Sequence, residues 1–159
     1  MFLVIHFHMF RIIAQIGHSV GYFTVVTDLP KYMADVLKFD IKSNGFYSTL
    51  PYIAMWIMSI VFASISDWML TKKWLSLTNS RKLFTTISFT IPGIFLVIAS
   101  FSGCDRMMAV LMFTIAMGFM SAFYSGIKAN NLDLSPNFAG AIMALTNGWG
   151  AVIGIITVF

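Results

Sequence analysis

The chain has 159 residues, 58% of them hydrophobic and only 10% charged, with a mean hydropathy of +0.85. That composition excludes an ordinary soluble domain and makes lipid the solvent. The formal net charge of +4 would fit nucleic acid in a soluble protein, but here the basic residues cluster between apolar runs and set membrane orientation, so no nucleic-acid partner is expected.

Four runs, 46–65, 83–101, 107–127 and 138–159, contain no Asp, Glu, Lys or Arg, and each approaches the roughly twenty residues that cross the hydrocarbon core as a helix. Before the first of them, MFLVIHFHMF lacks the basic region and the small-residue cleavage site of a secretory signal and reads as a lead-in to an earlier span. His6 and His8 have no carboxylate or Cys nearby, so no metal is expected there. That earlier span is expected over 11–28 and is less apolar. Its Gln15, His18 and Tyr22 fall at i, i+3 and i+7, on one helical face, flanked by Gly17 and Gly21. An ionisable group inside a span is costly unless it faces protein or water, which makes His18 the leading candidate for a substrate or ion path.

The second span is expected over 45–66, capped by Ser43 or Asn44, with Pro51 in its first turns. The connection that follows, DWMLTKKWLSLTNSRK, carries Lys72, Lys73, Arg81 and Lys82 and is the most basic, so it is expected to face the cytoplasm. The third span, 83–101, is expected to be capped by Asn79 or Ser80, and Pro92 lies midway along it, where neighbouring helices must satisfy the freed backbone groups. Cys104 is the only cysteine and no internal disulfide is possible.

Asp105 caps a fourth span over 106–127, in which Thr114, Gly118, Ser121, Ser125 and Lys128 form a second polar stripe. Its hydroxyls serve either as interhelical hydrogen bonds or as the lining of a polar path. Lys128, at the span's end, is expected to extend to the lipid interface. The fifth span, 136–159, is expected to start at Ser135 and Pro136. Gly140, Ala144 and Gly148 recur every fourth residue, Gly150 and Gly154 repeat the spacing one face over, and Thr146 and Asn147 are polar. Such ladders let helix backbones approach closely. One membrane domain, 1–159, accounts for the chain: an all-α, polytopic membrane helix bundle with five transmembrane helices.

No HExxH, GxSxG, P-loop or carboxylate pair is present, and there is no Glu at all, so no enzyme is expected. The segments TDLPKYM, NGFYSTLPY and NNLDLSPNFAG, with the stretches around them from Ile12 to the end, resemble the second half of the sodium-phosphate and organic-anion cotransporter family of the major facilitator superfamily. The resemblance implies a partial major facilitator fold, in which these spans are similar to helices seven to eleven of a twelve-helix transporter, and in which the seventh and tenth line the central cavity. It implies a small anionic substrate, phosphate or an organic anion, with sodium or a proton as coupling ion and no other cofactor. It places Gln15, His18, Tyr22, Thr114, Ser121, Ser125 and Asn147 toward the substrate path and Asp67, Arg81 and Lys82 in a cytoplasmic loop signature, where Ala63 departs from the usual Gly. The expectation is a fragment, cut at Phe159 before the next helix, that lacks its missing transporter half and cannot transport alone. The alternative is a non-transporting membrane protein that associates with full-length transporters and modulates them. Either would be a multi-pass protein in contact with membrane lipid, in the plasma membrane or a vesicular or lysosomal membrane.

Overall fold

A computed structural model describes residues 2–35, 41–101, 105–129 and 139–158, with side chains over 12–34, 45–101, 105, 107–129 and 140–156. The side chains of His6, His8 and Cys104 and the caps expected at Ser135 and Pro136 lie outside the described residues. The cap expected at Ser43 or Asn44 is not there, because the helix already begins at Ile41 and both residues lie within its first turn. Every regular element among the described residues is helical: α1 (Phe2–Asp35), α2 (Ile41–Thr71), α3 (Leu77–Phe101), α4 (Arg106–Met120, continued to Ala129) and α5 (Ala139–Val158).

Local chemistry sets several boundaries. The helix α1 runs past Asp28 and through Pro30, so it is longer than the span read from hydropathy. Ser76 opens α3: its hydroxyl accepts from the Asn79 amide at 3.4 Å and its carbonyl from the Ser80 amide at 2.9 Å. The cap therefore lies three or four residues before the expected Asn79 or Ser80, because a Ser that bonds the amide three residues on satisfies an orphan donor of the first turn. At α4 the cap is the expected one, with Asp105 Oδ1 accepting from the Met108 amide at 3.3 Å. Pro51 and Pro92 sit inside α2 and α3 and are both buried against protein, where tertiary packing tolerates a missing backbone donor.

Gly45–Thr71, Leu77–Phe101 and Met107–Lys128 are each long and apolar enough to cross a membrane, and Gly140–Ile156 is a shorter apolar helix. Large apolar side chains such as Trp56, Ile60, Ile94, Val97 and Ile155 are exposed on the outside of the bundle, as expected where acyl chains are the solvent and helices associate by close packing rather than by hydrophobic exclusion. The chain is an integral, multi-pass membrane protein.

The spine of the bundle is α4, which packs against both α2 and α3, while α5 packs against α1. Three clusters of buried residues follow α4 along its length. Ala109 and Val110 meet Leu29 and Met33 of α1, then Met117 and Met120 meet Val25, and Ala122 meets Phe62 and Phe84. This order brings the middle of α1, the second half of α4 and the middle of α5 around one polar opening.

Candidate functional site

The second half of α4 leaves the α-helical path. After a turn at Ser121 the chain forms one π-helical turn, Tyr124–Lys128. The Ala129 amide bonds to the Tyr124 and Gly126 carbonyls and bypasses the Ser125 carbonyl, its partner in a regular α-helix. Arg81, from the start of α3, takes that place: its Nη1 donates to the Ser125 carbonyl at 2.7 Å and reaches the Ser66 hydroxyl at 3.4 Å. Gly126 makes this approach possible, since a Cβ there would lie 2.6 Å from the Thr85 hydroxyl and 2.9 Å from the Thr85 amide nitrogen. A π turn inserts one extra residue per turn, and such turns concentrate at functional positions.

The inserted residue changes what faces α1 and α5. Gln15, His18, Ser19, Tyr22 and Phe23 of α1, Tyr124 and Lys128 of α4, and Asn147, Gly150 and Ala151 of α5 line a cavity of about 210 Å³. At its edge Lys128 Nζ donates to Asn147 Oδ1 at 2.8 Å and lies 5.7 Å from the centre of the Tyr124 ring. Lys128 thus turns onto α5 instead of extending to the lipid interface, because Asn147 offers an acceptor within the bundle. No carboxylate is among the described residues that line the cavity.

His18 is held by aromatic neighbours. Its ring stacks on that of Phe123 with centroids 3.8 Å apart and an angle of 15°, meets Phe89 edge-on, and is hydrogen-bonded to the Met120 backbone. Its Nε2 and the Oε1 of Gln15 are buried without a hydrogen-bond partner among the described residues. Buried polar atoms are nearly always paired, so two orphans beside one cavity call for a polar occupant.

The candidate residues read from sequence separate into two groups. Gln15, His18, Tyr22 and Asn147 come together at the cavity. Thr114, Ser121 and Ser125 do not line it: the Thr114 hydroxyl donates to the Val110 carbonyl and the Ser121 hydroxyl to the Gly118 carbonyl, while Ser125 is buried at the α3 contact. Where they are donors, these hydroxyls bond within their own helix rather than between helices, and so does Thr146, to the Ile142 carbonyl. Ser19, Phe23, Tyr124, Lys128, Gly150 and Ala151 complete the lining. Of these, Lys128 had a sequence signal in its place at the end of the α4 stripe, and Gly150 in the small-residue ladder of α5.

In the loop signature, Asp67 and Lys82 are exposed while Arg81 holds the π turn. The small-residue ladder of α5 is also divided. A Cβ at Gly150 would meet the Ser19 hydroxyl at 2.8 Å, and one at Gly154 the Phe23 ring at 2.5 Å, so both pack on α1. Gly140 and Gly148 have nothing within 4 Å among the described residues, and Ala144 and Gly148 line an open groove on the opposite side of α5. The close-packing role therefore belongs to Gly150 and Gly154, because α1 lies on their side of the helix.

No family model matches the sequence. Among known proteins, the chain is 46% identical over 143 residues to the "Putative inorganic phosphate cotransporter" of Drosophila ananassae, covering 90% of the chain and 30% of that protein. It is 33% identical over 145 residues to sialin of Homo sapiens, covering 91% of the chain and 29% of sialin. It is 30% identical over 145 residues to vesicular glutamate transporter 1 of Xenopus tropicalis, covering 91% of the chain and 25% of that transporter. These relatives are transporters, and the chain spans less than a third of their length. Over about nine-tenths of its length the chain is thus homologous to one segment of these transporters.

Proposed function

We propose that the chain supplies the anion-facing wall of a membrane anion transporter, with the α1–α4–α5 cavity as its substrate chamber and inorganic phosphate or a small organic anion as substrate, coupled to sodium or protons. The observation that carries this reading is the cavity itself. A lysine and an asparagine bridge its edge, and two buried polar atoms beside it lack partners among the described residues. A cationic, hydrogen-bonding lining with no carboxylate among its described residues attracts anions and repels cations. Binding near the midplane between two halves that rock against each other is how such transporters work. On this reading the rest of a transporter of the relatives' length supplies the second wall, and the isolated chain does not transport.

The test replaces the aligned segment of a Drosophila relative of measured uptake with this chain. Sodium-dependent phosphate uptake by the chimera, and none by the isolated chain in liposomes, is the expected result. Uptake by the isolated chain, or an inactive chimera that reaches the membrane, contradicts it.

One observation favours a second reading, a non-transporting protein that associates with full-length transporters. The outer side of α5 presents an open groove of about 650 Å³ lined by Ala141, Ala144, Leu145, Gly148, Trp149 and Val152, the small-residue surface on which another helix can seat. Co-purification with a complete transporter, lost on Gly148→Leu, supports it. Absence of association removes it.

A further inference from the structure

The turn between α2 and α3 has a construction that the transport reading does not use. The end of α2 closes with the Trp74 amide bonded to the Met69 carbonyl at 3.1 Å and the Lys73 amide to the Leu70 carbonyl at 3.0 Å. This closure requires a left-handed residue, and Lys73 supplies it with φ of 55°. Glycine is the usual residue there, since any Cβ makes this conformation costly. The chain keeps a lysine in a glycine position.

The same closure folds Trp74 back onto Trp68, with ring centroids 4.8 Å apart at 66°. Both indoles stay half to two-thirds exposed, at 49% and 67%. Lys72 and Lys73 of the same turn and Lys82, near the start of α3, are exposed, and Asp67 is the only acidic residue between Ser66 and Lys82. Exposed indoles at the end of a membrane-crossing helix sit at the headgroup level. Lysines at that depth are attracted to the negative surface of an anionic leaflet, within a Debye length.

We propose that the α2–α3 turn is a docking site for anionic phospholipid headgroups, with Trp68 and Trp74 seated at the interface and Lys72, Lys73 and Lys82 holding the lipid phosphate. The paired indoles fix the depth of the turn. The lysines then choose the lipid by charge, which explains why Lys73 stands where glycine would relieve the backbone.

The test uses the full chain in nanodiscs with Trp56→Phe and Trp149→Phe, so that Trp68 and Trp74 are the remaining indoles. Quenching of their fluorescence is compared at equal fractions of brominated phosphatidylserine and brominated phosphatidylcholine. The expected result is about twofold stronger quenching by the serine lipid, falling with added salt. It disappears in Lys72→Gln/Lys73→Gln/Lys82→Gln and persists in the corresponding triple arginine variant, which keeps the charge and controls for misassembly. Equal quenching by the two lipids overturns the proposal, as does an excess that survives in the glutamine variant or is lost in the arginine variant. Loss of the excess on adding free inorganic phosphate at constant ionic strength also overturns it, because the site would then take the soluble ion.

Discussion

The ammonium of Lys128, on the π turn of α4, donates to the side-chain oxygen of Asn147 on α5 at 2.8 Å. That bond joins two helices at the edge of the polar cavity and keeps a positive charge facing it. Replacing Lys128 with Gln removes the charge while leaving a donor, and anion affinity is expected to fall about tenfold, the value of one charge-assisted hydrogen bond. Lys128→Arg retains most of it. The measurement is the anion concentration that half-protects the chamber from a thiol reagent; equal values for the wild type and Lys128→Gln would remove Lys128 from the site.

Arg81 has a structural task that its place in a loop signature does not reveal. Its bond to the Ser125 carbonyl stabilises the π turn that aims Tyr124 and Lys128. Arg81→Gln is expected to cost about 1.5–3 kcal/mol, as for other hydrogen bonds from charged donors. Thermal unfolding in detergent reads this loss. An unchanged midpoint would show that the π turn holds without it.

The glycines of α4 and α5 are expected to differ sharply. At Gly126 an added Cβ meets the backbone of Thr85, which cannot move aside; at Gly154 it meets the outer edge of the Phe23 ring, which can; at Gly148 it meets nothing within 4 Å. Alanine should destabilise most at Gly126, by about 1–3 kcal/mol as overpacked sites do. The loss should be smaller at Gly154. Gly148→Ala should be neutral or slightly stabilising, because alanine is the better helix former. The same unfolding assay ranks them, and a Gly126→Ala variant as stable as Gly148→Ala would refute the close α3–α4 contact.

His18 combines a stacked, buried ring with an Nε2 that has no hydrogen-bond partner among the described residues. Replacing it with Leu removes a buried polar atom, so stability should hold or rise while anion affinity falls, the trade-off expected of a functional polar group in a packed interior. Lower stability with unchanged affinity would give His18 a purely structural role. Phe123→Ala should instead cost about 3–5 kcal/mol, since it leaves a cavity under the imidazole.

Much of this architecture is legible in the sequence because hydropathy and length constrain membrane helices strongly. The stripe Gln15–His18–Tyr22 and the polar Asn147 do converge, and Asp105 caps α4 as its position implies. The rest escaped for identifiable reasons. A helical wheel assumes 3.6 residues per turn, but the π turn at Tyr124–Lys128 breaks that period and brings Lys128 to the cavity while Ser121 and Ser125 stay away. The α5 ladder reads as uniform, yet only the neighbour's position decides that Gly150 and Gly154 pack while Gly140 and Gly148 face outward. Arg81 looks like a loop charge because nothing local marks the carbonyl it serves, 44 residues away.

The most direct test of the anion chamber places a thiol inside it. In a Cys104→Ser background, which removes the only native cysteine, Ala151→Cys puts a single thiol in the cavity lining. The full chain in nanodiscs is alkylated with a charged thiol reagent, with phosphate or a small organic anion present or absent. Modification slowed by the anion, with the protection lost in Lys128→Gln, is the predicted result. A rate that no anion alters, with the thiol itself reactive, would contradict the chamber.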